Sequence, residues 1–222
     1  MTEGANVIGQ ELSCDITIVG CGPGAPDYLT PAAREAIESA DVLVGARRVL
    51  DGLPPTRAER IVVGADIAKA LEAIAARVGR QRITVVASGD PGVCSLAQPV
   101  IRRFGRTACR VIPGITAVQV AFARLGLEWF DATLLSAHEG IPAVSAEVLA
   151  HAPKIAVLAG NASTLPWLRT LGHTLAKTHT LYVCENLTLP DERVHEMSAE
   201  GFEMYALPGR SVVVFVQEGT LT

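Results

Sequence analysis

Asp90 is the residue with the clearest potential for chemistry, and it stands in the glycine- and proline-rich segment Ser88–Gly92 (SGDPG). A carboxylate that projects from a tight turn can accept hydrogen bonds from ribose hydroxyls or pair with the cation of an amino group. The alternative is that Asp90 is a turn-forming residue satisfied by its own backbone. From this segment alone, both interpretations stay open.

Two further loops of the same kind accompany it, and each of the three follows an apolar, β-branched run. The three loops are Gly20–Gly24 (GCGPG), Ser88–Gly92 (SGDPG) and Pro113–Ala117 (PGITA). Ligands of open parallel sheets bind beyond the carboxyl ends of the strands, and glycine there lets the backbone approach a ligand and adopt positive φ. The loops together predict a composite pocket for a small molecule.

The elements that must position these loops alternate between strand and helix, which is typical of a parallel sheet. Apolar runs predict strands at 16–19, 41–44, 60–63, 83–87 and 109–112. Helices are predicted between them at 31–39, 66–78, 95–104 and 115–125. Thr30 and Pro31 suit the N-cap and the first position of the first helix.

The second half of the chain has a different pattern. Strands are predicted at 132–136, 155–159, 180–184, 193–197 and 211–216, and helices at 142–150 and 162–171. The last strands are joined by short connections, which predicts some antiparallel pairing. We therefore expect two α/β domains, the first with a five-stranded, mainly parallel sheet and the second with a mixed sheet. The expected bounds are a flexible leader over 1–13, an N-terminal domain over 14–126 and a C-terminal domain over 127–222.

The first loop does not match the known phosphate-binding loops. A dinucleotide fingerprint needs G-x-G-x-x-G opening directly into a helix, with an acidic residue near the end of the second strand. Here the third glycine comes one residue early, the helix begins only at Thr30 or Pro31, and Asp41 precedes its strand. No Gly-Lys-Ser/Thr follows, which excludes a Walker loop. A nicotinamide-dependent oxidoreductase is kept as an alternative.

Composition narrows the class of protein. A net charge of −4 does not favour nucleic acid as a partner, and no apolar stretch approaches the roughly 18 residues of a membrane span. The first 13 residues lack the basic start and apolar core of a signal peptide. The 5 cysteines form no C-x-x-C pair, which is typical of a reducing compartment and predicts a cytoplasmic protein. The 5 histidines show no metal-ligand spacing, so we expect no metal site.

The three loops, in this order, resemble the motifs of the tetrapyrrole methylase family, the uroporphyrinogen-type methyltransferases. The family start V-G-x-G-P-G-x-x-x-L-T is matched by Val19–Thr30, with one additional residue before Leu29. Gly89–Pro91 matches the family's G-D-P loop, and Pro113–Ala117 matches its P-G-I-T/S-A/S turn. The resemblance spans 15–216.

Within this family the chain is most similar to the branch that methylates carbon 5 of precorrin-7 or cobalt-precorrin-7. The similarity rests on the segments Gly45–Leu50, Phe122–Leu127, Ser136–His138, Glu185–Leu187 and Pro190–Glu192. In some organisms this unit is the N-terminal half of a precorrin-6Y C5,15-methyltransferase, whose other half methylates carbon 15 and decarboxylates. The sequence leaves open a stand-alone or fused protein, and a substrate with or without cobalt.

The resemblance implies that S-adenosylmethionine is the methyl donor, with S-adenosylhomocysteine as its product, held between the two domains. It implies donor contacts at Pro23, Ser88, Gly89, Asp90, Val93, Thr116, Ala117, Leu158, Ala159 and Leu187. The acceptor would be a meso carbon of a precorrin in cobalamin biosynthesis. His138 and Glu185 are the candidates for a general base that removes a proton from the product.

A precorrin carries many carboxylates, so an acidic protein needs a local cationic rim to bind it. Arg47 and Arg48, next to a predicted strand end, are the candidates. The family further implies a homodimer, without nucleic acid or membrane as partner. The alternatives left open are another tetrapyrrole position, a protein or RNA acceptor, the oxidoreductase, and a non-catalytic binding module.

Overall fold

The computed structural model describes residues 15–138 and 140–220. The chain divides into two compact units, of which the first ends at Ile115 and the second begins at Thr116. The expected leader over 1–13 lies outside the described residues.

The first unit alternates strands and helices. Its elements are β1 (Ile16–Gly20), α1 (Pro31–Glu38), β2 (Val42–Ala46), α2 (Arg47–Asp51), β3 (Glu59–Val63), α3 (Ile67–Ala75), β4 (Ile83–Ala87), α4 (Ala97–Phe104) and β5 (Cys109–Ile112). The strands form one sheet in the order β3-β2-β4-β1-β5, and every adjacent pair is parallel. All carboxyl ends of these strands therefore lie at one edge.

Local sequence and burial explain these elements. β4 is buried along its whole length because it is the central strand and is covered on both faces. One face packs with α3 and α4 and the other with α1, as the two apolar clusters of the unit show. Thr30 caps α1, its side chain accepts from the amide of Ala33, and Pro31 takes the first helical position, as predicted.

The second unit has a mixed sheet. Its elements are α5 (Ala117–Leu125), β6 (Ala132–Ser136), α6 (Ala146–Leu149), β7 (Lys154–Ala159), α7 (Leu165–Leu175), β8 (His179–Glu185), β9 (Arg193–Met197), α8 (Ala199–Glu203) and β10 (Ser211–Gln217). The strand order is β6-β7-β10-β8-β9. β6 and β7 are parallel, and β10 is antiparallel to both β7 and β8. It follows that β6, β7 and β8 all point their carboxyl ends to the same edge.

The predicted fold class of two α/β units, with a parallel first sheet and a mixed second one, is confirmed. Two short helices were not predicted, α2 and α8, because five residues are too few to show helical periodicity. The predicted helix over 162–171 begins with a 3₁₀ turn and continues to Leu175.

The region expected to join the domains, Gly126–Asp131, lies inside the second unit. α5 contacts β10 of that unit. The buried Lys154 also fixes the region, because its Nζ donates to the carbonyl of Glu128 at 2.9 Å and pairs with Asp131 at 2.5 Å. The contacts of α5 thus place the division before this helix, whereas the sequence led us to expect it after Gly126.

Candidate functional site

Three glycines meet where the loops of the first unit leave the sheet. β4, β1 and β5 are neighbours, so the loops that follow them start side by side. A Cβ built on Gly20 would lie 2.6 Å from the Cα of Gly114 and 2.6 Å from the carbonyl oxygen of Gly89. A side chain cannot be accommodated at that distance, so the backbones pack directly on one another. We call Gly20–Gly24, Ser88–Gly92 and Pro113–Gly114 the glycine cradle.

Backbone hydrogen bonds join the first two loops of the cradle. The amide of Gly89 donates to the carbonyl of Gly22 at 2.8 Å, and the amide of Gly22 donates back to Gly89 at 3.2 Å. Both residues are left-handed, with φ of 75° and 64°, which glycine adopts without a steric penalty. Gly89 suits glycine because of its conformation, Gly22 because of both its conformation and its space, and Gly20 because of its space.

Asp90 joins the second loop to the third. Its Oδ1 accepts from the amide of Gly92 at 2.7 Å, which is the turn-forming contact, and its Oδ2 accepts from the amide of Gly114 at 2.9 Å. Asp90 is half-buried, and each oxygen retains a further lone pair. The structure therefore supports the turn-forming interpretation and adds a contact between loops; a role toward a ligand stays a prediction.

The remaining expected residues of the first unit border this cradle. Pro23 and Val93 are half-buried in the first and second loops, and Ser88 is exposed. Arg47 and Arg48 begin α2, directly after β2, which is the neighbour of β4. The guanidinium of Arg48 lies 3.5 Å from the hydroxyl of Ser88, so the structure brings a cationic side chain to the rim of the cradle.

Burial disfavours a reactive thiolate at the first loop. Cys21 is the second residue of the loop, and burial raises the pKa of its thiol to about 12. The same effect raises the pKa of Cys184, in β8, to about 12. Both thiols are thus protonated at neutral pH, and thiolate is the nucleophilic form.

In the second unit, Thr116 and Ala117 form the start of α5. The hydroxyl of Thr116 accepts from the amide of Gln119 at 3.0 Å, and the Gln119 side chain accepts from the amide of Thr116 at 2.8 Å. This reciprocal capping box fixes the end of the third loop. The sequence contains the signal for it, because Thr116 is followed three residues later by glutamine.

The other expected residues of the second unit lie at the carboxyl edge of its sheet. His138 follows β6 and is exposed, while Leu158 and Ala159 end the neighbouring β7. The ring of His138 lies so close to Gly160 that a Cβ there would collide with its Nδ1. The side-chain amide of Asn161 donates to the carbonyl of His138 at 3.3 Å. The structure thus brings His138 and the end of β7 together.

Leu187 lies in a strained loop after β8. Leu187 itself is buried, and its neighbours Asn186 and Thr188 are both left-handed, with φ of 46° and 72°. Asparagine tolerates this conformation, but a β-branched threonine does not do so readily. Such strain persists only where surrounding contacts fix it, and it is common at functional sites.

Glu185, the last residue of β8, is buried beneath that loop. Its side chain lies on the same face of the sheet as Val183, in the core against α7 and α8. The Glu185 carboxylate raises the pKa of Tyr205. His195 approaches the carboxylate to 4.0 Å. Within the residues that the structure describes, Oε1 of Glu185 has no hydrogen-bond partner.

His138 and Glu185 are not close to each other. β6 and β8 are separated by β7 and β10, which corresponds to roughly 14 Å at about 4.8 Å per strand. They are consequently alternatives for one proton-transfer role. Tyr205 and His195 were missed in the sequence, because nothing in their spacing links them to Glu185.

The described residues were searched for groups that could hold a metal ion and for helices that could cross a membrane. Over 15–138 and 140–220, no group of three or more histidine, cysteine or acidic side chains is arranged to hold a metal ion. Among the helices of those same ranges, none has the length and apolar character needed to cross a membrane.

A glycine cradle at the carboxyl ends of parallel strands, without a dinucleotide or Walker loop, is typical of α/β proteins that bind a small organic ligand. The sequence pattern of the Tetrapyrrole (Corrin/Porphyrin) Methylases matches residues 15–202. The chain belongs to this family, which confirms the resemblance expected from the three loops.

Individual relatives agree with that assignment. The chain is 40% identical over 184 residues to a cobalt-precorrin-7 C(5)-methyltransferase of Salmonella typhimurium, covering 81% of this chain and 89% of the relative. The crystal structure of a cobalamin biosynthesis precorrin-6Y methylase from Archaeoglobus fulgidus is 26% identical, with a TM-score of 0.67 and coverage of 90% and 96%.

A uroporphyrin-III C-methyl transferase from Thermus thermophilus, complexed with S-adenyl homocysteine, has a TM-score of 0.71 over 90% of this chain and 91% of that one. At 20% identity this similarity shows the fold alone.

Proposed function

We propose that this protein is an S-adenosylmethionine-dependent methyltransferase that methylates carbon 5 of a precorrin in cobalamin biosynthesis. The observation that carries the proposal is the glycine cradle at the carboxyl edge of β4-β1-β5, in which Gly20 and Gly114 leave no room for side chains and Gly89 is left-handed. The 40% identity to a cobalt-precorrin-7 C(5)-methyltransferase, over 81% of the chain, supports the substrate and the position.

The residues present suit the methyl donor. The loops of the cradle approach one another through backbone, because Gly20 and Gly114 have no side chains, and a flat adenosine with a short charged tail needs close backbone approach. In the first unit the proposed contacts are Pro23, Ser88, Gly89, Asp90 and Val93. In the second unit they are Thr116, Ala117, Leu158, Ala159 and Leu187.

When bound, S-adenosylmethionine supplies an electrophilic methyl group whose leaving group, a thioether, is neutral. The protein therefore does not need to protonate a leaving group, and its main task is to align the acceptor carbon and exclude water. Such alignment can lower a barrier by about 7–11 kcal/mol in favourable cases. Asp90 contributes by fixing the second loop to the third, since it accepts from both Gly92 and Gly114.

A proton leaves the product, and we propose His138 as the preferred acceptor with Glu185 as the alternative. His138 is exposed at the carboxyl edge of β6, where it can pass a proton to solvent. Glu185 is buried and has no direct path to solvent for a proton. A His138→Gln variant that keeps full turnover, beside an inactive Glu185→Gln variant, would reverse this order.

Arg47 and Arg48 are the proposed contacts for the carboxylates of the precorrin. Both are exposed at the start of α2, and Arg48 reaches Ser88 of the cradle rim. A guanidinium binds a carboxylate through two parallel hydrogen bonds. Their substitution by glutamine should raise the KM for precorrin while leaving donor binding unchanged.

We further propose a cytoplasmic homodimer. The four described cysteines are all free, in keeping with a reducing compartment, and the exposed Trp129 and Phe130 supply apolar surface for a second copy. Methylation at carbon 15 with decarboxylation would belong to another catalytic unit, either fused to this chain or separate from it.

The proposed reaction is tested by incubating the protein with methyl-labelled donor and a panel of precorrins, with and without cobalt. With precorrin-7 or cobalt-precorrin-7 as the acceptor, we expect label in a new methyl group on carbon 5 of the product. Label at another ring position would show that the protein methylates a different position of the tetrapyrrole. Absence of transfer to every tetrapyrrole would contradict the proposal.

A further inference from the structure

The loop that carries Leu187 is held against its own backbone preference. Thr188 is left-handed, with φ of 72°, although it is β-branched. The preceding Asn186 is also left-handed, with φ of 46°. A loop of this kind needs outside contacts to keep its conformation.

Two acidic side chains from the same loop provide the first of these contacts. The amide of Thr188 donates to Oε2 of Glu192 at 2.5 Å, and the side-chain amide of Asn186 donates to Oδ2 of Asp191 at 2.8 Å. The amide of Glu192 in turn donates to the carbonyl of Leu189 at 3.0 Å. Each left-handed residue is therefore bonded to one carboxylate.

Glu192 is itself anchored to a helix distant in the sequence. Nε of Arg124, in α5, donates to Oε1 of Glu192 at 2.5 Å, and a terminal nitrogen of the same guanidinium lies 3.3 Å from Oε2. The hydrogen bond with Arg124 lowers the pKa of Glu192, which keeps this carboxylate ionised at neutral pH. Arg124 and Glu192 fall in the segments Phe122–Leu127 and Pro190–Glu192, for which the reaction has so far provided no role.

We propose that Arg124 and Glu192 are positioning residues, which lock Thr188 in its left-handed conformation and so hold Leu187 ready for the methyl donor. This inference rests on the proposed function, because Leu187 is a proposed donor contact. Neither residue needs to touch the reacting atoms. We expect the pair to affect donor affinity, since without it the loop over 186–192 must become ordered each time the donor binds.

The test is donor affinity in variants of the ion pair. Glu192→Gln keeps the size of the side chain but removes its charge, and Arg124→Gln breaks the same pair from the other side. For both we expect the Kd of S-adenosylhomocysteine, measured by calorimetry, to rise about tenfold, as loss of one charged hydrogen bond implies. The KM for S-adenosylmethionine should rise in parallel, with kcat changed less than about threefold.

Two further variants separate positioning from a general loss of structure. Arg124→Lys should recover part of the affinity, because it restores the charge without the bidentate geometry. The double variant Arg124→Gln/Glu192→Gln should be no worse than either single variant, since the two residues act as one pair. Hydrogen exchange of the peptide over 186–192 should be faster in both single variants than in the wild type.

Asp41→Asn is the matched control. Asp41 accepts from the amide and the guanidinium of Arg82, at 2.8 Å for each, so it has the same bond types as Glu192 but lies at the amino end of β2. It should leave the donor Kd within about twofold of the wild type.

The outcomes distinguish this inference from the proposed function. A wild-type protein that does not bind S-adenosylhomocysteine removes the proposed function and this inference with it. If the wild type binds it and both single variants bind it equally well, the proposed function stands and the inference is wrong. A fall in kcat with unchanged donor Kd and KM also overturns the inference.

Discussion

The loops of the two units hold a left-handed backbone in different ways. In the first unit, Gly22 and Gly89 adopt φ of 75° and 64°, and as glycines they do so without side-chain support. In the second unit, Asn186 and Thr188 adopt φ of 46° and 72° and depend on the carboxylates of Asp191 and Glu192. Similar backbone geometry is thus obtained without side chains in the first two loops of the glycine cradle and with bonded side chains in the loop after β8.

Asp90 in the first unit and Glu192 in the second also differ in the groups to which they bond. Among the residues that the structure describes, the carboxylate of Asp90 bonds to backbone alone, the amides of Gly92 and Gly114, and so depends on how closely the loops approach. Glu192 bonds to one amide and to the guanidinium of Arg124. We therefore expect the first unit to be sensitive to added volume and the second to be sensitive to lost charge.

The largest effect is expected from Gly20→Ala. The new Cβ would meet backbone atoms of Gly114 and Gly89 at 2.6 Å, and backbone cannot rotate away as a flexible side chain would. We expect the free energy of unfolding to fall by about 3 kcal/mol and binding of S-adenosylhomocysteine to be lost, measured by urea denaturation and calorimetry.

Gly64→Ala is the control for added volume, because nothing lies within 4 Å of its Cβ position and its φ is not left-handed. It should leave stability within about 0.5 kcal/mol. Equal losses in the two variants would mean that the glycine cradle has no special packing.

Asp90→Asn should have the next largest effect. The amide group places a donor where one of two backbone amides needs an acceptor, so Gly92 or Gly114 loses its bond. We expect a loss of about 1.5–3 kcal/mol in stability, with weaker donor binding in the calorimeter. Asp51→Asn, an exposed change in α2, is the charge-matched comparison and should alter neither quantity.

The ion pair of the second unit should respond to pH in a defined window. The folded-state pKa of Glu192 lies below its ordinary value of 4.5. Its contribution to stability is therefore complete above about pH 4.5 and is lost as pH falls through the lowered pKa. The gap in urea stability between wild type and Glu192→Gln should be constant from pH 7 to about pH 5 and close at lower pH. A stability gap that closes at neutral pH would contradict our account, in which the ionised Glu192 pairs with Arg124.

The smallest effect is expected from Thr188→Gly. Glycine relieves the left-handed strain but adds freedom to the unfolded chain, and these terms oppose each other. The unfolding free energy should change by less than about 1 kcal/mol. The opposite change in the first unit, Gly22→Ala, should be clearly destabilising, because its Cβ would also lie 2.8 Å from the carbonyl oxygen of Tyr28.

The first unit was largely predictable from the sequence. Buried parallel strands are continuous apolar runs, as in β4, and glycine-rich loops mark the strand ends where backbones approach closely. The caps at Thr30 and Thr116 are likewise local signals. The short α2 was not predictable, since its position depends on packing of Leu50 in the core.

The contacts that order the loop after β8 could not be predicted from local sequence. Arg124 and Glu192 are 68 positions apart, and neither has a local signal for its partner. The surroundings of Glu185, with Tyr205 and His195, also arise from the pairing of β8 with β9 and the packing of α8. The site roles of His138, Glu185, Arg47 and Arg48 stay predictions.

The central claim, that the glycine cradle binds a methyl donor, is tested most directly by calorimetric titration of the protein with S-adenosylhomocysteine and, separately, with NAD(H) and NADP(H). We predict saturable binding of the thioether that is abolished by Gly20→Ala and retained by Gly64→Ala, and no binding of the nicotinamide cofactors. Tight binding of a nicotinamide cofactor, with none of S-adenosylhomocysteine, would contradict the claim.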